Sequence, residues 1–239
     1  MTDIRVFGGP TTLIEFGGLR FLTDPTFDEP GDYPLGGGRF LTKTAPSTID
    51  PAELPPIDVV LLSHDQHPDN LDRAGRELLT RVPLTLTTPA GASRLAGTVR
   101  GLAPGESVTI EDVTVTAVPA RHGPEGCEAV TGEVIGFVLT GDGLPTTYVS
   151  GDNASLEIVR EVADRFGPVG TAVLFAGAAR SGLFDNALLT LDSAQAAEAA
   201  KILGAAKVVP VHCDGWAHFT EGRDKIVEAF TNAGVGDKL

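Results

Sequence analysis

Five histidines and a few acids carry most of the chemistry available to this 239-residue chain. His64 and His67 stand in one tight segment, SHDQHPDNLD, directly after the apolar run IDVVLLS. His122 follows VTVTAVPA, His212 follows KVVPV, and His218 comes six residues later. Asp69 belongs to the first cluster, and Asp152 lies in YVSGDN. Neutral imidazole and carboxylate are the ordinary ligands of zinc and related divalent cations. A cation held by such a set lowers the pKa of a coordinated water to about 7 and makes hydroxide available at neutral pH. A lone histidine is more often structural. Histidines that recur past strand ends, beside acids, point instead to a metal centre.

The elements that must position these residues can be read from the pattern. IRVFG, TTLIEF and LRFLTDP read as strands, the last two joined at Gly17-Gly18 as a hairpin. Residues 27–55 read as a long loop rich in Gly and Pro, either a substrate rim or a surface insertion. The uninterrupted apolar run at 57–63 suits a strand covered on both faces. Leu71, Ala74, Leu78, Leu79 and Val82 then recur at helical spacing. Strands are expected at 84–88, 107–110 and 113–119, and a hairpin pairs 134–140 with 146–150. A helix is expected from about residue 154, then a strand near 172–176. Asp192 and Gln195 form a capping box for the next helix. KVVPV is the last strand, and residues 219–233 the last helix. Every histidine thus lies at or near the carboxyl end of a strand, where layered α/β proteins build their sites. The whole reads as a layered α/β or α+β fold, one domain over residues 1–239.

Composition narrows the function. There are 18 Lys and Arg against 32 Asp and Glu, a formal charge of −14, which repels phosphate backbones and argues against general nucleic-acid binding. Two cysteines build neither a disulfide scaffold nor a cysteine-type zinc site. Neither a signal-like segment nor an apolar run of membrane-spanning length is apparent, so the expectation is a cytoplasmic protein with no membrane partner.

Taken in order, these segments resemble the metallo-β-lactamase superfamily. Its signature is His-x-His-x-Asp-His after a buried strand, then a lone His, an Asp and a final His after later strands. The resemblance runs from LIEFGGLRFLTDP to PVHCDGW, nearly the whole chain. The opening hairpin and SGDN are similar to the lactonase-like branch that includes ascorbate-6-phosphate lactonase. It implies a four-layer αββα sandwich with the metal site at one edge, and a hydrolase of a small-molecule ester, lactone or phosphoester. Carried over, His64, His67 and His122 form a first metal site. Asp69 and His212 belong to a second, with Asp152 bridging. Asn70 stands where the second site expects an imidazole. The chain's motif is one residue longer than the family's. Anchored on Asp69, Leu71 and Asp72, His67 takes the second histidine's place; anchored on His64, Gln66 does. The implied cofactor is one or two divalent ions, zinc first, with manganese or iron admitted by the harder amide oxygen of Asn70. The resemblance also leaves a homo-oligomer open.

Further roles are assigned by chemistry. Asp69 orients or deprotonates the attacking water, and His218 is a proton donor to the leaving group. Arg121 and Arg180 read as anchors for an anionic group of the substrate or as surface ion pairs. Trp216, with Phe40 and Tyr33, reads as an apolar rim or as packing. Gly36-Gly37-Gly38-Arg39 lacks the Lys-Ser/Thr of a phosphate loop. Cys213, next to His212, is expected to point away from the site into apolar surroundings. The competing readings are a non-hydrolytic metal-binding or sensing protein of the same fold and, disfavoured by charge, a phosphodiesterase or nuclease.

Overall fold

The computed structural model describes residues 2–239. Its first half runs β1 (Asp3–Gly8), β2 (Thr11–Phe16), β3 (Leu19–Thr23), β4 (Gly31–Gly36), β5 (Arg39–Lys43), β6 (Val59–Leu61), α1 (Arg73–Leu79), β7 (Leu84–Thr87), α2 (Pro89–Ala92) and β8 (Val99–Gly101). The second half runs β9 (Ser107–Ile110), β10 (Val113–Pro119), α3 (Glu128–Thr131), β11 (Ile135–Gly141), β12 (Thr147–Val149), α4 (Leu156–Phe166), β13 (Thr171–Phe175), β14 (Arg180–Ser181), β15 (Ala187–Leu188), α5 (Ser193–Ile202), β16 (Lys207–Val211) and α6 (Arg223–Asn232).

Two six-stranded sheets result, ordered β1-β2-β3-β6-β7-β8 and β16-β13-β12-β11-β10-β9. Each changes character half-way. β1, β2 and β3 pair antiparallel, and β3, β6, β7 and β8 parallel. In the second sheet β9 to β12 pair antiparallel, and β12, β13 and β16 parallel. Strand alternation sends Val59 and Leu61 to one face and Val60 to the other. The inner faces meet through Ile14, Phe21, Val59 and Leu86 on one side and Val115, Phe137, Val173 and Phe175 on the other. Outside, α1 covers the first sheet with Leu78 and Leu79. Helices α4, α5 and α6 cover the second with Val159, Ala196 and Phe230. Each of the larger side chains contributes about 1.5–3 kcal/mol of transfer free energy. The layers are therefore helix, sheet, sheet, helix. Among the described residues no helix is long and apolar enough to cross a membrane.

Departures from the sequence reading cluster in the small elements. The segment 27–55 is not a bare loop: β4 and β5 pair as a hairpin, turning through Gly36, Gly37 and Gly38 at φ +82°, +60° and +76°. Glycine adopts these angles without the Cβ penalty. The short α3 and the two-residue pair β14 and β15 have too few residues to show a period. The last helix begins at Arg223 rather than 219, after the chain has turned under the site through Thr220 N and Glu221 N, both donating to Gly177 O.

Candidate metal centre

The strands β6, β12 and β16, each with a parallel neighbour, deliver most site residues at their carboxyl ends, and the antiparallel β10 delivers His122. After β6, the Ser63 N–H donates to Asp24 Oδ1 at 2.6 Å, and Ser63 Oγ lies 3.0 Å from His64 Nδ1. That contact orients the ring and leaves Nε2 for the site, 2.9 Å from His67 Nδ1. The extra motif residue is absorbed in a tight turn, in which Asn70 N and Leu71 N both donate to His67 O, at 3.1 and 3.0 Å. Asp72 closes the segment by capping α1, its Oδ1 accepting from Gly75 N at 2.8 Å. Of the two registers, the structure brings His67 to His64.

His122, just past β10, places Nδ1 2.9 Å from Leu189 O and 3.4 Å from Asp152 Oδ2. One donor atom each from His64, His67, His122 and Asp152 all lie within 4.8 Å of one another, the single such group of metal-ligating side chains among the described residues. His212 leaves β16 at φ +55°, uncommon for a side chain with a Cβ, and its N–H donates to Gly9 O at 2.7 Å. Its ring spans two carboxylates at ion-pair distance, Nδ1 3.3 Å from Asp152 Oδ1 and Nε2 3.2 Å from Asp69 Oδ2. His218 Nε2 is 3.0 Å from the same Asp69 oxygen. Asn70 Nδ2 donates to Asp152 Oδ1 at 3.4 Å.

Burial and neighbouring charge sort the protonation states. Burial, with His67 and His122 alongside, holds His64 well below the ordinary histidine value, and His67 is lowered for the same reasons. For His212 burial pulls the same way, but Asp152 and the contact with Asp69 outweigh it and raise the pKa. Burial would push Asp69 up, yet His218 and His212 hold it well below the usual carboxylate range. His64 and His67 are thus held neutral, the form that ligates metal, beside an ionised carboxylate.

The donor set fits a cation. Asp69 Oδ1, Asn70 Oδ1, Asp152 Oδ2 and both ring nitrogens of His212 are buried with no hydrogen-bond partner in the protein. A buried polar atom left so costs about 1–3 kcal/mol unless something else pairs with it. Asp152 Oδ2 belongs to the histidine group, and the other atoms lie on the Asp69 side. The cavity above them, of about 240 Å³, has His67, His122, Asp152, His212 and Asp69 in its lining.

Of the residues singled out in the sequence, His64, His67, Asp69, Asn70, His122, Asp152, His212 and His218 come together, and Arg180 stands in the cavity wall. Arg121 does not: its Nη2 donates to Ser155 Oγ at 2.6 Å and pairs with Glu157, tying the start of α4. Trp216 is likewise no rim residue. It is buried, edge-on to Tyr33 at 5.7 Å and to His218 at 6.3 Å, with Lys43 Nζ 5.7 Å from its ring. Both side chains found apolar or ionic partners within the fold. Cys213 turns from the site into the core against α6. The sequence reading missed Arg39, Leu35, Leu41, Val130 and Leu183 in the cavity wall. The reading of residues 27–55 as a substrate rim or surface insertion had marked the region of Leu35, Arg39 and Leu41, and nothing had marked Val130 or Leu183.

Residues 19–213 match the family model of the beta-lactamase superfamily domain. The chain belongs to that superfamily. A UPF0173 metal-dependent hydrolase of Methanosphaerula palustris is 32% identical over 179 residues, 72% of this chain and 75% of that protein. The crystal structure of a possible metal-dependent hydrolase from Veillonella parvula superposes with a TM-score of 0.86 at 17% identity, covering 100% of this chain and 95% of that one. That of an isothiocyanate hydrolase from Delia radicum gut bacteria gives 0.85 at 23% identity, covering 100% and 94%. These two likenesses establish the metallo-β-lactamase fold. With the superfamily membership and the donor group, the chain is a metal-dependent hydrolase.

Proposed function

We propose that this superfamily member hydrolyses a small-molecule ester, lactone or phosphoester, as the resemblance to the lactonase-like branch implies. The observation that carries the proposal is the convergence of His64, His67, His122 and Asp152 within 4.8 Å beside an ionised Asp69 in one cavity. These four side chains would hold the ion, and so imidazole-rich a set favours zinc. When bound, a divalent ion supplies Lewis acidity to the scissile carbonyl or phosphoryl group.

The rest of the chemistry falls to the chain's own groups. Asp69 Oδ1 is buried and unpartnered, so it is free to accept a hydrogen bond from the attacking water and then its proton. Asp69 Oδ2 is engaged by His218, which keeps the carboxylate oriented. His218 is only partly buried and lines the cavity, so it can pass a proton to the departing oxygen. We place the enzyme in the cytoplasm, with a small molecule and not a nucleic acid as its ligand. The test is metal analysis of protein purified without chelator, paired with an assay of esters, lactones and phosphodiesters. Near-stoichiometric zinc with turnover of one class supports the proposal. A loaded protein that turns over none would make it a sensor instead, and a protein with no bound divalent ion would sink the reading.

A further inference from the structure

The cavity floor is polar, but its walls are not. Leu35 and Leu41 reach it from the β4–β5 hairpin, Val130 from α3, and Leu183 from the turn after β14. Val130 and Leu183 are 56% and 57% exposed, among the three most exposed large apolar side chains of the described residues. The other is Phe40, 58% exposed, on the same hairpin between the wall residues Arg39 and Leu41. Large apolar side chains left bare are unremarkable when scattered, but several around one concave opening mark a binding surface. Two cations stand in the same walls. Arg39 has no ion-pair or hydrogen-bond partner among the described residues. Arg180 spends only Nη1, on Asn186 O at 3.0 Å. In a chain of charge −14, two guanidiniums with no acid beside them are available to an anion from outside.

From this we infer the substrate class for the hydrolase reading above, on which the inference rests: an amphiphilic monoanion. Its hydrolysable centre reaches the histidines at the floor, its negative group pairs with Arg39 and Arg180, and its apolar arm lies along Leu35, Leu41, Val130 and Leu183. Three short elements supply these walls, each anchored to the sandwich at its ends, so arm and anion are read separately from the bond that is cut.

The experiment is calorimetric titration of the zinc-loaded full chain with straight-chain carboxylates of two to ten carbons and with primary alcohols of the same lengths. The expected result is affinity rising about twofold per methylene between four and eight carbons, half the roughly fourfold worth of a fully buried methylene. The V130S/L183S double variant flattens that rise without changing zinc content. The R39Q/R180Q double variant instead removes the preference for carboxylate over alcohol and keeps the rise. Affinity independent of chain length, or a rise unaltered in V130S/L183S, overturns the inference. So does a flat profile in a dimer, seen by light scattering, that V130S/L183S splits, since the walls then belong to a second copy of the chain. Hydrolysis with no chain-length dependence removes only this inference. Chain-length-dependent binding in a protein that hydrolyses nothing leaves the ligand class standing and removes the hydrolase reading.

Discussion

The two halves of the metal centre are built from similar residues but to different standards. On one side, three imidazoles and Asp152 converge within 4.8 Å, and outer contacts already fix two of the rings: Ser63 on His64, Leu189 O on His122. On the other side, Asp69, Asn70 and His212 meet the cavity with unpartnered oxygens and nitrogens, and the amide of Asn70 points an N–H at Asp152 Oδ1. The first half is a chelating pocket finished by the fold. In the second half no protein hydrogen bond holds the ring of His212, and the Asp152 oxygen nearest to that ring already accepts from Asn70. Ligand sets work when outer contacts orient the rings and leave lone pairs inward. Only the histidine half has rings oriented by such outer contacts, so the ion-binding burden lies with the histidines, and the Asp69 half is left for proton transfer.

The largest expected effect breaks the first half. His122→Ala removes one of four converging donors. Bound metal should fall from about one ion per chain toward none, and activity by about 100-fold or more, beyond the usual cost of losing an outer contact. Inductively coupled plasma analysis beside the assay measures both, and a variant that keeps its metal would dissolve the distinction between the halves. Next comes the second half. Asp69→Asn should keep the ion yet lower kcat by about 10²- to 10⁴-fold, the range for losing a general base. His218→Ala should cost less, about 10- to 100-fold in kcat at unchanged metal content. Equal losses of metal in these variants and in His122→Ala would make the two halves one.

A gentler change sharpens the comparison without breaking it. Asn70→His restores an imidazole where an amide now stands and withdraws the N–H from Asp152. Retention of a second ion through dialysis should rise by about tenfold or more in affinity, read as ions per chain against free zinc. If wild type already retained two ions, the assignment of Asn70 as the weak point would be wrong.

What the sequence disclosed follows from what each region is made of. His64, His122, Asp152 and His212 follow largely buried strands whose pattern is dictated by burial, so their convergence could be expected from strand ends alone. The insertion in the motif left two registers, and only the backbone turn at His67 O chose between them. Arg121 and Trp216 were left with two readings each because a side chain's direction depends on partners distant in sequence, Ser155 for one and Tyr33 and Lys43 for the other. The cavity walls were least legible: β4, β5, α3, β14 and β15 are short, glycine-rich or without period, and what they bind is written in exposed side chains that no packing rule constrains.

A thermodynamic effect, not a catalytic one, is expected at a residue that touches no ligand atom. Asp24, fully buried behind the histidine half, accepts the Ser63 N–H, and burial pushes its pKa up to about 8. The unfolded chain releases this proton near 3.8, whereas the folded chain keeps it to about 8. Between those values the folded state holds more protons, so rising pH favours unfolding. In metal-free protein, the contribution of Asp24 to stability should therefore fall as pH rises from about 4 to 8, by on the order of 1 kcal/mol per unit, and level off above. Asp24→Asn keeps the acceptor for Ser63 and cannot ionise, so its urea midpoint should decline less over the same window. Measuring both proteins in chelator isolates this residue from the histidines, whose titration the two share. Parallel pH slopes would mean that Asp24 is already ionised in the fold, and that the histidine half rests on a buried charge rather than on a neutral acid.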